Sequence, residues 1–322
     1  MSRFVRITLA ALIPASAVAH MVSISTGELR IDGATARYEL RMPLYEVEVM
    51  AAPQRTLFEH IHFTSRGEPG KPRNLSCRVV EAEDSYVCDA TYTFSAPVKA
   101  LDIECTFYQV TVPNHIQILR ARKGKTVDQA VFDFTAPSAE INFVPPSFWQ
   151  TLTRQTAAGA RRAAGGLASL LFLLALVIAG RNRRELLSLA GMFLAGQLGA
   201  CMLAPLAGWE PAPGFVEAAA ALTIAYLAVE ILLLPKAGQR WLIVGVLGAF
   251  HGLYLELFLR GTGFHAGYVL TGAFLTELAF IALLGLLWKK LAAVFPPLLL
   301  ERVAAAALLL FGLSWFVPRL RG

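Results

Sequence analysis

The chain has 322 residues, 56% of them hydrophobic and only 16% charged, with a mean hydropathy of +0.53. Soluble domains carry about 25% charged residues, so this composition excludes an ordinary soluble protein and points to an integral membrane protein. The net charge of +6 is modest; with no basic stripe and interleaved aromatics, it fits cytoplasmic loops rather than nucleic-acid binding.

Residues 1–19 read as a secretory signal peptide. Arg3 and Arg6 make a charged start, Ile7–Ala15 is apolar apart from Thr8, and Ala17-Val18-Ala19 fits the small-x-small cleavage rule. The apolar core is shorter than the ~20 residues a span needs. Cleavage after Ala19 would leave His20 first. Its free α-amine and imidazole would then form a two-nitrogen chelate suited to a Cu(II)-like ion; the plain alternative is the first residue of a strand.

Residues 20–144 alternate with period two and read as an exported all-β, sandwich-like domain of seven or eight short strands. Tyr38, Leu40 and Met42 alternate with Arg37, Glu39 and Arg41, and the pattern recurs from Tyr86 to Phe94, Leu101 to Phe107 and Ala130 to Phe134. Asp32-Gly33 and Lys123-Gly124-Lys125 are turn signals. Export would place Cys77, Cys88 and Cys105 in an oxidising compartment. A hairpin tip between Ala82 and Glu83 sets Cys77 opposite Cys88, a cross-strand disulfide; Cys88–Cys105 competes, as do three reduced, buried thiols. In Glu59-His60-Ile61-His62 the two histidines would share a face of a strand and so make a metal-like pair, although the His-Glu-x-x-His protease spacing is absent. Incidental surface histidines are the alternative. His115, after Pro113-Asn114, reads as a structural turn residue.

Residues 145–162 form a linker or interface segment. Pro145-Pro146 ends the strand pattern, and Phe148-Trp149 suits the membrane–water boundary. Residues 163–322 then read as a polytopic helical bundle with spans at about 163–180, 186–207, 214–234, 241–259, 266–288 and 298–317. Export of the β-domain directs the first span inward. The loops at Arg181–Arg184, Lys236–Arg240 and Lys289-Lys290 are then inside, and Trp209–Pro213, without Lys or Arg, is outside. Arg161-Arg162 and Arg319 with Arg321 break this rule; either the count is one span wrong, or these arginines reach the headgroups. Small residues recur at Gly245, Gly248 and Gly252 and at Gly191, Ala195 and Gly199, spacings that suit close helix packing.

Ionisable groups inside an apolar span cost roughly 2.5–3.5 kcal/mol on insertion scales, so they are candidates for function. Gln197, Glu230, His251 and Glu277 lie within spans, Glu217 and Glu256 nearer the outer face. A buried histidine with carboxylates can ligate a divalent transition metal, relay protons, or form interhelical hydrogen bonds that hold the bundle together. His265, in an outer loop, is a candidate entry ligand. No nucleophile constellation, phosphate loop or dinucleotide fingerprint is visible, so an enzyme is not expected.

Several stretches resemble the HupE/UreJ family of membrane proteins, in the branch with an exported N-terminal domain. They are Phe172–Leu176, Phe215-Val216-Glu217 through Ile224–Glu230, Arg240-Trp241-Leu242 through Phe250-His251-Gly252, His20–Ser25, Arg41–Leu44 and Pro113-Asn114-His115. The resemblance implies uptake of nickel or a related metal, linked to hydrogenase and urease maturation in some members. It also implies that His251, Glu217, Glu230 and Glu277 are retained from the family's polar set. The family's first span typically has a His, then Gly-x-Asp-His; here Arg162 and Gly166-Leu167-Ala168-Ser169 stand there. Gln197 stands where the second span typically has a His. The expectation is therefore an inner-membrane, metal-permease-like protein in contact with the lipid bilayer, with His251 and Glu277 as central ligands for a divalent metal substrate, Glu230 as an inner relay and Glu217 as an outer one. The competing expectations are a non-transporting protein whose exported domain binds a periplasmic partner, and a proton-coupled carrier of another solute.

Overall fold

The computed structural model describes residues 23–48, 50–112, 115–209, 211–234 and 239–319. The expected signal peptide, His20, the Pro113-Asn114 turn and Arg321 lie outside the described residues.

Alternating apolar and polar side chains fold the first part into ten strands among the described residues. They are β1 (Ile24–Asp32), β2 (Thr35–Pro43), β3 (Ile61–Ser65), β4 (Glu68–Pro69), β5 (Lys71–Val80), β6 (Ser85–Thr93), β7 (Leu101–Cys105), β8 (Ile116–Lys123), β9 (Thr126–Phe132) and β10 (Ser138–Ile141). The sheet orders are β5-β6-β2-β1-β8-β9 and β10-β7-β3-β4. All neighbours are antiparallel except β1 and β8. Seven or eight strands were expected; β4 and β10, two and four residues long, are too short for a period of two to be seen. Leu29, Tyr38, Leu40 and Leu119 of the larger sheet share one core with Ile61, Phe63, Leu101 and Ile103 of the smaller.

The turn signals act as expected. Gly33 closes β1–β2 and Gly124 closes β8–β9, each at φ +58°, where a Cβ would be strained. Cys77 lies directly opposite Cys88 in the β5–β6 register, and the two form a disulfide. A loop of this size contributes about 3 kcal/mol through the unfolded chain. Cys105 stays a free thiol in the opposite sheet, pushed up to about 12 by burial. The histidine pair separates. His60 ends a short helix, α2 (Pro53–Glu59), that follows α1 (Leu44–Val47), and its Nδ1 lies 2.8 Å from Thr106 Oγ1. Only His62 lies on β3, so the two do not share a strand face.

His115 is fully buried rather than simply a turn residue. Ser23 Oγ lies 2.7 Å from its Nδ1 and Ser25 Oγ 2.7 Å from its Nε2, and Ser25 bonds on to Gln117.

The helical part begins at α3 (Phe148–Gly165), which opens on a capping box between Ser147 and Gln150. It continues as α4 (Leu167–Ala179), α5 (Arg183–Leu206), α6 (Pro213–Leu233), α7 (Arg240–Thr262), α8 (Ala266–Val294) and α9 (Pro297–Arg319). The last five are each long and apolar enough to cross a membrane. Large side chains such as Leu203, Leu206, Val246, Leu286 and Leu298 stand exposed on them, as lipid-facing residues do. The first expected span, 163–180, is not one helix: α3 and α4 meet at Gly166 with a bend of 72°. The 13 residues of α4 reach about 20 Å, short of a ~30 Å hydrocarbon core, and the bent pair of α3 and α4, counted as one broken span, brings the candidates among the described residues to the six expected. α3 is pressed against α8, where a Cβ on Gly159 would lie 1.9 Å from Val269 O and one on Gly272 1.9 Å from Thr156 O.

The β-domain sits on one end of the bundle. Arg120 and Gln129 donate to Gly261 O and Thr262 O, each at 2.9 Å. These are among the last carbonyls of α7, which have no partner within the helix. Ile116 and Ile118 pack there against Ala158, Phe258 and Val269.

Burial lowers the His115 pKa to about 3, against ~6.5 in an unfolded chain. Between those values the unfolded state binds the extra proton, so this contribution is complete above pH ~6.5 and is lost as pH falls towards 3. Glu46, raised by burial, acts in the opposite sense. We therefore expect His115→Gln to flatten the acid side of the wild-type curve of Tm against pH, measured on the full chain in detergent; parallel curves would refute the assignment.

Candidate functional site

A helix that crosses a membrane buries its own backbone polar groups, but a polar side chain must find a partner on another helix. The register of those partners is set by the contact between α5 and α7. A Cβ on Gly248 would lie 2.4 Å from Phe193 O, one on Gly252 2.4 Å from Gln197 O, and one on Gly196 2.0 Å from Gly245 O. The expected α7 glycine stripe therefore does pack tightly. The expected α5 stripe does not: Gly191 and Gly199 have open space where a Cβ would be, and Ala195 is exposed. The buried face of α5 is instead Phe193, Gln197, Cys201 and Ala204.

This register carries Gln197 to Glu277 of α8. Gln197 Nε2 donates to Glu277 Oε1 at 2.8 Å. Both residues are buried, and Gln197 Oε1 and Glu277 Oε2 have no hydrogen-bond partner among the described residues. His251 lies eleven residues from either end of α7, about 16 Å at helical rise. Its Nε2 is 3.0 Å from Thr223 Oγ1 on α6. The Thr223 hydroxyl donates its single proton to Ala220 O at 2.6 Å, so it accepts from His251 Nε2–H, and Nδ1 carries the lone pair. The imidazole lies against Phe172 of α4 and Phe193 of α5, with centroids 4.5 and 5.5 Å away. The expected ligands are thus arranged as two pairs, His251 with Thr223 and Glu277 with Gln197. Among the described residues no three His, Cys, Asp or Glu side chains converge as a metal-ligand group.

The other membrane carboxylates face cations. At the end away from the β-domain, Glu230 lies 2.7 Å from Arg240 Nε, and Arg240 also donates to Ala179 O and Leu234 O. One arginine thus ties the ends of α4 and α6 to the start of α7. At the β-domain end Glu256 lies 2.7 Å from Arg260, which also donates to Trp209 O. Glu217 is buried at that end, within electrostatic range of Tyr45 and Arg162. His62 is exposed on the smaller sheet, opposite Glu104. His265 is exposed before α8, where its backbone N–H donates to Gln155.

Thr223 and Phe193 were not singled out from the sequence, and Phe172 and Arg240 entered only within longer stretches, not as site residues. Thr223 lies seven residues, two helical turns, before Glu230 and so on the same face of α6; that spacing was readable. The Glu230–Arg240 pairing crosses a loop and was not.

Removing one partner of a buried ion pair leaves the other charge uncompensated, at a cost of about 3–5 kcal/mol. Arg240→Ala should therefore lower Tm in detergent more than the Glu230→Gln/Arg240→Ala double variant does. An equal loss would mean that Arg240 acts only through the carbonyls.

A family model described as HupE / UreJ protein matches residues 138–319. No curated protein matches the chain.

Proposed function

The chain belongs to the HupE/UreJ family, and from that premise we propose that it is a membrane permease, or the membrane part of one, for a divalent transition-metal cation of the nickel class. The observation that carries this reading is the Glu277–Gln197 pair. Glu230 and Glu256 are each neutralised by an arginine, whereas Glu277 is bonded to a neutral amide. A carboxylate buried without a countercharge must take up a proton or a cation. The two unpartnered oxygens, Glu277 Oε2 and Gln197 Oε1, offer a cation hard-donor ligands. His251, with its Nδ1 lone pair, is the nitrogen-ligand candidate of this reading. In this reading residues 1–19 are a signal peptide, residues 20–144 an exported capture or docking domain, 145–162 a linker and 163–322 the inner-membrane bundle. Glu230 serves as the inner relay and Glu217 as the outer one.

That His251 and Glu277 bond to different partners, with no three-ligand group among the described residues, favours a second reading: a non-transporting accessory whose exported domain binds a partner. Flux separates the two. The full chain, reconstituted in proteoliposomes with a metal-sensitive dye inside, should give nickel-dependent entry above empty vesicles. Glu277→Gln should reduce that entry by roughly tenfold or more, from the loss of a charge-assisted ligand, with Tm unchanged or raised. His251→Ala should abolish it. Entry equal to that of empty vesicles, or entry unchanged in Glu277→Gln, would remove the permease reading; flux driven by a pH gradient without metal would redirect it to a proton-coupled carrier.

A further inference from the structure

Charge balance at Glu277 singles out a second side chain. A divalent cation carries two positive charges, and Glu277 supplies one negative charge. A dication held by Glu277 and the neutral Gln197 amide would leave one charge uncompensated among apolar helices, which is costly. The other buried carboxylates of the bundle are engaged: Glu230 with Arg240, Glu256 with Arg260, and Glu217 within electrostatic range of Arg162. Among the described residues, the remaining buried acidic group of the bundle is the thiol of Cys201, 7% exposed.

Cys201 lies on the buried face of α5, one turn after Gln197. The Cα–Cβ bonds of a helix tilt towards its N-terminus, so the cysteine leans towards the turn that holds the amide. α5 runs towards the β-domain end, where Arg260 reaches Trp209 O just past it, and α8 runs away from that end. Cys201 shares a buried cluster with Ala273 of α8, and Ala273 is one turn before Glu277. Cys201 with Ala273 and Gln197 with Glu277 are thus successive rungs between two antiparallel helices, about 6 Å apart at helical rise. The thiol is within electrostatic range of both Glu256 and Glu277. It donates to Gly252 O at 3.3 Å, a weak bond for an S–H. Gln197 and Glu277 are 1% and 3% exposed, and Gln197 Oε1 and Glu277 Oε2 have no hydrogen-bond partner among the described residues.

We propose that Cys201 is a thiolate ligand that completes the Glu277–Gln197 site for a thiophilic divalent cation. The proposal rests on the reading that Glu277 takes a cation. The thiolate, not the thiol, is the ligand form of cysteine. The cation therefore replaces two protons, one from Cys201 and one from Glu277, and both leave to water. Sulfur and carboxylate then balance its two charges, and the closed site is neutral in hydrocarbon. One sulfur and two oxygens make three protein ligands, which leaves a fourth position open, as mobile rather than structural metal sites do. Ligand atoms close on such a cation at about 2.0–2.3 Å, so binding calls for side-chain rotation across one helical turn and not for a cavity that water can enter. A thiolate also selects: it favours zinc, cadmium, cobalt and nickel over manganese or magnesium, which prefer oxygen alone.

The test titrates cobalt(II) into the full chain in a non-ionic detergent. A thiolate ligand gives a near-ultraviolet sulfur-to-cobalt charge-transfer band that oxygen and nitrogen ligands do not. The chain has four cysteines; Cys77 and Cys88 are paired, so Cys105 and Cys201 are the free ones. The wild type should show the band, and Cys105→Ser should keep it. Cys201→Ser should lose it and hold cobalt roughly tenfold or more weakly by equilibrium dialysis, since even a supporting group around a metal is worth that much. Cobalt retained by the wild type without the band, or a band that persists in Cys201→Ser or vanishes in Cys105→Ser, overturns the thiolate ligand. If Glu277→Gln then releases that cobalt, the cation reading of Glu277 stands without Cys201. A wild type that retains no cobalt overturns both. The wild-type and Cys105→Ser arms decide the question even if Cys201→Ser does not fold.

Discussion

A charge placed in hydrocarbon must be compensated where it stands, and the polar architecture of this bundle follows from that constraint. Glu230 and Glu256 meet the requirement with arginines that also bond to backbone carbonyls at helix ends. Each of these carboxylates therefore belongs to a structural knot as well as to an ion pair. Glu277 meets it only in part, through the Gln197 amide. The contrast separates carboxylates that the fold uses from one that it leaves to be completed.

That arrangement rests on backbone contact as much as on polar chemistry. Gly196, Gly248 and Gly252 let α5 and α7 meet with no side chain between them, and close approach fixes the relative depth of the two helices to a fraction of a turn. Because Gln197 and Gly252 touch, His251 is held one residue away along α7, with its ring against Phe172 and Phe193. A wider seam would let α5 slide and would loosen the Glu277–Gln197 bond. The glycines thus act on the site without contributing an atom to its chemistry.

Much of this was legible in the sequence because it depends on local periods. Alternation located β2, β6, β7 and β9, the spacing about a hairpin tip paired Cys77 with Cys88, and apolar length located the five long helices. Illegible features were those decided by a distant surface. Gly191, Ala195 and Gly199 have the spacing of a packing stripe, yet a stripe does not say which side of its helix faces the bundle, and Phe193 and Gln197 hold that side. The packing of α3 on α8 is a contact between segments over a hundred residues apart, and the bend that follows it at Gly166 left no local period to read. His60 and His62 follow a strand-like rhythm, but His60 caps the helix Pro53–Glu59 and only His62 lies on the strand that follows. In the site the membrane residues themselves were readable as costly groups; their grouping into two pairs was not, because partners on separate helices leave no shared period.

The bend also changes the setting of two charges that the positive-inside rule does not favour. Arg161 and Arg162 stay at the β-domain end of the bundle. With α3 turned by 72° against α4, both arginines belong to a helix lying under the β-domain, one exposed and one stacked on Tyr254. The β-domain covers that helix through Arg154, which donates to Gln129 O, while Gln129 itself bonds to Thr262 O at the end of α7. One strand residue therefore ties the bent helix to the helix that carries His251. A displacement of the β-domain would therefore pull on α3 and α7 together, and across the contact that Arg162 of α3 makes with Tyr254 of α7.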